Sequence, residues 1–598
     1  MEAGRNSQVS RQGADENAAL NAVEGARTPS GQPAVGEQTG TLYRPPATSL
    51  VTRLYALAGR KLRHFGYGLK LYAYRLNGPY PRQLLASPDD PAPGNATLGS
   101  AMLGGDMLYG PERLELDGAP WSALWHKSPS FFNHGHSFVW LRHLAQVSDQ
   151  AAARRVAETL TRQWLERHTN WDEAVWAPAL VGSRLNNWIV HAPLILSSND
   201  MVYRSAVLNS MARQARHLSR TLYDTPFGVN RVRAAAGLLL AGLLLPGGGQ
   251  WQAKAAKALD RALAETINPD GGPISRTPAH AVKILRLLVL VRAAYIEAGH
   301  EMPDKLLFTI DRLAPFVRAM RHGGGALAQF NGTIGEGGFG TDAVLGASDA
   351  SGRAITNASY SGFQRIEHGL TIIIMDTGCP PAGERSAASH AGTLSFEMSD
   401  GRERLFVNVG PAMPVGRFEE LARLSRTTAA HTTLVMGDTN SSRMQDNGLL
   451  GKGVERVTVR RRSEAGGSWL TAAHDGYESR YGFSHERRIL VDSAGFTIDG
   501  SDRLKPAGKK QKNTSALIRF HLHPAVDVQP GDDAHSARLR LASGSVWHFS
   551  ADMPVQIEES LYMAQPDQPC SSRQLVIELD KVPAAGAEAR WKIERQSS

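Results

Sequence analysis

The sequence predicts two domains of different class in one chain, an all-α half followed by an all-β half. Three observations carry this expectation. The chain has 598 residues, more than one hydrophobic core organises, so two or three domains are expected. Between about 135 and 322 apolar residues recur at i, i+3, i+4 and i+7, the helix period. Beyond 323-GGGALAQFNG-332 glycines rise and the period falls to two, as in strands.

The elements follow in order. Residues 1–45 are rich in Gly, Ser, Ala, Gln, Asn and Glu. They have too little apolar surface to offset ordering entropy, so a disordered tail is expected. Residues 50–76 read as an amphipathic helix, basic on one side. Such a helix packs onto the next domain or touches an anionic membrane. A loop-rich passage follows to about 130, with the strand-like piece 112-ERLELDG-118. Helical segments are expected at 136–149, 151–168, 200–223, 231–245, 251–267, 279–299 and 304–321. Breaks fall at Pro-Gly-Gly and at Asn-Pro-Asp-Gly-Gly. Stacked helical hairpins of this kind build bundles, solenoids or toroids. The longest apolar run, 234-AAAGLLLAGLLLPGGG-249, falls short of the roughly 20 residues of a membrane span and reads as a buried helix.

In the second half 393-TLSFEM-398 alternates, with Leu394, Phe396 and Met398 on one face. Asp400-Gly401 is a hairpin turn signal and 405-LFVNV-409 the returning strand. Further strands are expected at 454–462, 486–492, 495–502, 516–523, 545–551 and 573–579, the spacing of a large β-sandwich. The domains are therefore drawn at 1–45, 46–325 and 326–598.

Composition narrows the function classes. The net charge is +9, which favours acidic partners or simply a basic surface. Two cysteines, Cys379 and Cys570, exclude a disulfide scaffold and a multi-cysteine zinc site. No phosphate-binding loop or dinucleotide fingerprint is present, and the basic patches lack interleaved aromatics, so nucleic acid is not an expected partner. No charged segment followed by an apolar core opens the chain, so no secretory signal is expected.

Particular strings resemble the heparinase II/III family of polysaccharide lyases. In the β half these are 390-HAGTLSFEMSDGRERLFVNVG-410, 431-HTTLVMGD-438, 485-HERRILVD-492 and 518-IRFHLHP-524. In the α half they are 183-SRLNNWI-189, 222-LYDTPFGVNRVRAAAGLLLAGLLL-245 and 268-NPDGGPISRTPAH-280. The resemblance implies an N-terminal (α/α) toroid of helical hairpins, a C-terminal antiparallel β-sandwich, and a cleft between them. It also implies β-elimination on an acidic, uronic-acid-containing glycan. That chemistry needs the uronate carboxylate neutralised, a base for the C5 proton and an acid for the leaving O4. An envelope or periplasmic setting is implied as well, while the lack of an expected secretory signal leaves a cytoplasmic role on imported or nascent glycan as the alternative.

The implied residues are placed one at a time. Asn230 falls where the family has its neutralising amide; as a good N-cap residue it could instead cap a helix. His280 falls where the family has its catalytic Tyr, and histidine can act as a base near neutral pH. In 388-ASH-390, Ala388 stands in place of the usual first His, leaving His390 as the catalytic candidate. His390, Asn408 and His431 match a metal trio in which Asn408 replaces an aspartate. No cofactor is required; the trio could hold a structural zinc or calcium ion, or, because a neutral amide is a poorer ligand than a carboxylate, hold no metal and hydrogen-bond within the sandwich. Arg184, Asn187, Trp188, His134 and Arg321 are substrate-binding candidates, three of them with a structural alternative: Trp188 as core, Arg184 in an ion pair, Arg321 ending a helix. The competing functions are a non-catalytic polyanion-binding envelope protein and a glycoside hydrolase, the latter needing opposed carboxylates such as Asp270 and Glu166.

Overall fold

The computed structural model describes residues 36–41 and 66–596, apart from 336–339 and 509. Most of the 1–45 tail and of the basic 50–76 segment lies outside the described residues. Of the basic segment, the helix Lys70–Leu76 is seen. The Tyr72 hydroxyl bonds His217 Nδ1 at 2.8 Å and ties it to the helical domain. Of the tail, Gly36–Thr41 is a strand rather than disordered chain, paired antiparallel with Arg456–Glu464 at a sheet edge. Edge addition needs only backbone donors and acceptors, which a segment poor in apolar side chains still has.

Among the described residues seven helices form the framework of the first half. They are α1 (Gln150–His168), α2 (Pro178–Val190), α3 (Met201–Thr221), α4 (Val229–Leu244), α5 (Gly249–Ala264), α6 (Pro278–Glu297) and α7 (Asp304–Ala319). They stack as hairpins in an (α/α) toroid. Asp149 and Asp200 start α1 and α3 by accepting first-turn amides, and Pro178 and Pro278 open α2 and α6. α4 carries the long apolar run: residues 234–244 are all buried, packed against α2, α5 and α6.

α2 and α4 cross at Gly182 and Gly237. A Cβ on Gly237 would lie 2.3 Å from the Gly182 carbonyl oxygen, and one on Gly182 would lie 2.6 Å from Ala234 Cα. Backbone cannot swing aside as a side chain can. Gly237→Ala is therefore expected to lower stability by about 1–3 kcal/mol through overpacking, outweighing a helix-propensity gain of about 1 kcal/mol. A thermal melt checks this; an unchanged or raised Tm would show that the two helices part here at no cost.

Two helical expectations change. The segment 136–149 is not one helix: Pro129–Ser137 ends where Phe138 turns left-handed at φ 59°, and Leu141–Leu144 follows. α2 showed no amphipathic period because residues 184–190 are all buried, leaving no polar stripe to mark a face.

The second half is an antiparallel β-sandwich. A nine-stranded sheet runs Gly36–Thr41, Arg456–Glu464, Gly467–His474, Phe483–Asp492, Thr497–Pro506, Ala587–Arg595, Val546–Ala551, Ser536–Arg540, Asp527–Pro530. Beside it lie a four-stranded sheet (Val555–Gln565, Gln568–Leu579, Ala516–His521, Leu434–Met436) and a five-stranded sheet. The five-stranded sheet includes Phe363–His368, Thr371–Asp376 and the hairpin Phe396–Asp400 with Glu403–Phe406. That hairpin turns at Gly401, φ 55°. Phe396, Phe520, Phe549 and Trp591 meet in the sandwich core, with the Phe396 and Trp591 rings stacked at 5.8 Å. No disulfide joins Cys379 and Cys570.

The hairpin's polar face is buried too, because the toroid end covers it. Glu397 accepts from the Gln329 amide at 3.0 Å and from Asn408 Nδ2 at 3.0 Å, and bonds His322 Nε2 at 3.0 Å. His322 Nδ1 reaches Ser399 Oγ at 3.1 Å. Arg276 adds a second tie between domains, donating to Asp376 and to the carbonyls of Ser361 (2.8 Å) and Gly378 (2.9 Å). The two domains thus meet through a buried, hydrogen-bonded interface.

Candidate active-site groove

A groove of about 670 Å³ opens in the toroid. Helix Pro129–Ser137 contributes Asn133 and His134, α2 Asn186 and Asn187, α4 Asn230 and Arg233, and α6 Lys283 and Arg286. Arg142 and Asp224 complete its charged lining. Asn230 is exposed and lies inside α4, whose N-cap is Gly228; it caps nothing. Arg233 Nη1 donates to Asn230 Oδ1 at 3.2 Å. This orients the amide and leaves its Nδ2 hydrogens for a ligand acceptor.

Two of the basic side chains, Arg142 and Arg286, hold a largely buried carboxylate behind the groove lining. Asp90 accepts from Arg286 Nε at 2.8 Å and from Arg142 Nη2 at 3.1 Å, and His191 Nε2 lies 3.5 Å away. Burial alone would raise the Asp90 carboxyl; His191 and the Arg286 and Arg142 charges override it and hold it well below the usual range. Four cations, Arg142, Arg233, Lys283 and Arg286, then face two carboxylates, Asp90 and Asp224, so the groove is net positive.

Of the expected substrate-binding residues, His134 and Asn187 line this groove. Asn187 Nδ2 donates to the Ser137 carbonyl at 2.8 Å. Burial and the charges of His143 and Arg142 push the His134 imidazolium down to about 3, so the ring is neutral. Trp188 and Arg184 do not reach the groove: both are fully buried. Trp188 packs edge-on to Phe138 and Trp164. Among the described residues Arg184 forms no ion pair either; it donates to Gln214 Oε1 (2.7 Å) and the His136 carbonyl (2.9 Å). Both are toroid core, because α2 is enclosed by helices on either side. Arg321 closes on Asp342 and on the Gly325 carbonyl, a tie at the end of α7.

His280 is half-buried at the start of α6, with Nδ1 bonded to Ser275 Oγ at 2.8 Å, and is not a lining residue of the groove. Burial, Lys283 and Arg233 lower it to about 3, which makes it a weak base near neutrality.

His390 lines a different cavity, of about 440 Å³, with Ala388, Arg423 and Arg426. No residue lines both cavities. The hydrogen bonds set the tautomers. His431 Nδ1–H donates to the Thr427 carbonyl at 2.7 Å, so His431 Nε2 accepts from His390 Nδ1–H at 3.1 Å. Burial keeps both rings below the usual histidine range. The expected metal trio does not fit this geometry. Asn408 Oδ1 is taken by the Thr432 amide (3.1 Å) and its Nδ2 by Glu397. Both ends of the amide are spent, and among the described residues no group of three or more His, Cys, Asp or Glu is placed to hold a metal. Asp270 and Glu166 do not form the opposed pair of the hydrolase reading: Asp270 accepts from the Ser361 amide (2.7 Å) and hydroxyl (2.7 Å), and Glu166 sits on the exposed face of α1.

Sequence reasoning passed over Asp90, Arg233, Lys283 and Arg286. The signal was present in α4 and α6: isolated cations inside otherwise apolar helices.

Comparison with known proteins agrees with this architecture. Residues 350–592 match the family described as heparinase II/III-like, C-terminal. The structure resembles a mutant of the heparan sulfate lyase HepC from Pedobacter heparinus, with a TM-score of 0.59 at 14% identity over 84% of this chain and 83% of that one. It resembles heparinase III with a TM-score of 0.61 at 14% identity, over 79% of this chain and 78% of the other. In sequence it is 29% identical over 539 residues to FtsZ-localized protein C of Caulobacter vibrioides, covering 86% of this chain and 91% of that protein. The structural likenesses show the toroid-plus-sandwich fold, and the family match identifies residues 350–592 as a heparinase II/III-like C-terminal domain.

Proposed function

We propose that the toroid groove binds an acidic glycan and that the protein is a polysaccharide lyase acting by β-elimination. The observation that carries this reading is the net-positive groove around Asn230. A uronate carboxylate fits there between Asn230 Nδ2 and the Arg233 guanidinium, which would offset the charge developing as the C5 proton leaves. Incubation with heparan-type, alginate, chondroitin and glucuronan polymers is expected to generate the ultraviolet chromophore of an unsaturated uronide from one of them. Asn230→Ala is expected to lower kcat/KM about 100-fold, the scale of one lost oxyanion donor. A flat trace from the wild type on every polymer would sink the lyase reading.

A second reading is a non-catalytic glycan-binding protein of the envelope. Ala388 in place of the first histidine favours it, as does the likeness to a relative named for its localisation with FtsZ. Tight binding of one polymer without chromophore would select it.

A further inference from the structure

We propose that Lys283 is the catalytic proton acceptor of the toroid groove. This rests on the elimination reading above and assigns its base, a role that neither His280 nor His390 is placed to fill. His390 belongs to the other cavity, and His280 is outside the groove lining with Nδ1 engaged by Ser275. Lys283 lies one helical turn beyond His280 on α6 and lines the groove opposite Asn230 and Arg233 of α4.

The charges around Lys283 suit the role. Arg233 faces it from α4, Arg286 and His280 flank it on α6, and Arg142 and Asp224 line the same groove. Burial and the Arg233 charge push the Lys283 ammonium down to about 8. The other titratable lining groups are less suited. His134, held near 3, is too weak a base, and burial raises the Tyr109 phenol above its ordinary value. An amine titrating near 8 is neutral in a useful fraction at mildly alkaline pH. In the step, the neutral Lys283 Nζ takes the C5 proton and becomes ammonium. The C5–H electron pair becomes the C4=C5 double bond. The C4–O4 bond breaks with its electrons on O4, which takes a proton from water, and Lys283 returns its proton to solvent.

The test uses the full chain. Competitive acetylation between pH 6 and 11, read by mass spectrometry on the peptide containing Lys283, is expected to show half-reactivity near pH 8. Half-reactivity at the ordinary lysine value would overturn the proposal. On the polymer that yields chromophore, kcat/KM is expected to rise with one inflection near pH 8. Lys283→Met should lose 100-fold or more while keeping the wild-type melting temperature. Lys283→Cys, alkylated with 2-bromoethylamine to rebuild an amine, should regain turnover with its inflection moved to lower pH; alkylated wild type controls for Cys379 and Cys570. Turnover by Lys283→Met within threefold of wild type, with the same pH profile, would overturn the base role alone. A wild type that binds polymer but never forms chromophore would remove the elimination reading and the base role with it.

Discussion

Replacing Asp502 by alanine is expected to destabilise the β-sandwich by about 3–5 kcal/mol, the cost of breaking a buried ion pair from one side. Asp502 is fully buried. It accepts from Arg487 Nε at 2.8 Å and Nη2 at 3.0 Å, from Trp591 Nε1 at 3.0 Å and from His485 Nε2 at 2.7 Å. Its removal strands the Arg487 charge, which also holds the Leu394 and Thr432 carbonyls next to the histidine hairpin. The chain of bonds continues: His485 Nδ1 accepts from His474 Nε2 at 3.3 Å, and His474 Nδ1 accepts the Gly476 amide at 3.0 Å. A loss of that size is a large part of a typical domain's 5–15 kcal/mol. Asp502→Asn, which keeps shape and drops charge, should fall between wild type and alanine. Equal denaturant midpoints for wild type and alanine would show that Arg487 finds another partner or water.

Acid should unfold this protein early, well before its carboxylates protonate. Burial lowers His431, His143 and His168 to about 4, His521, His134 and His280 to about 3, and His136 to about 2. An unfolded histidine titrates near 6.5. A folded value below the unfolded one means that the unfolded chain binds more protons as pH falls. The stability these neutral rings contribute is therefore complete above about 6.5 and is lost progressively toward 4. Each proton taken up on unfolding is worth about 1.4 kcal/mol per pH unit, so three such groups remove about 4 kcal/mol per unit below pH 6. Denaturant midpoints at pH 7.5, 6.0 and 5.0 measure this. Equal midpoints at 7.5 and 5.0 would show that the rings stay solvated in the folded state.

The heparinase-like hairpin was legible because its signals are local: alternation, an Asp-Gly turn and a histidine before a strand. The neighbouring strands Phe363–His368 and Thr371–Asp376 were not, since 371-TIIIMD-376 is buried on both faces and shows no alternation. Asn230 was legible as a site candidate from its string alone. Its partner Arg233 was close enough in sequence to be seen, but the cations of α6 were not, because nothing local shows which side of a mostly apolar helix lines a groove. Trp188 was left between sugar platform and core for the converse reason: an aromatic beside asparagines looks the same whether its helix is enclosed or open, and burial makes it core.

From the residues alone came the change of class from helix to strand, the turn at Gly401, and the likeness to heparinase II/III strings, because periodicity and turn chemistry act over a few residues. The tertiary structure alone decided the rest. It joined Asp90 to Arg286 across 196 positions, Glu397 to His322 across 75, and His390 to His431 across 41. It separated His390 from Asn230 into different cavities. Charge pairing and desolvation depend on distance in space and on what excludes water, and neither quantity is written in the spacing of residues along the chain.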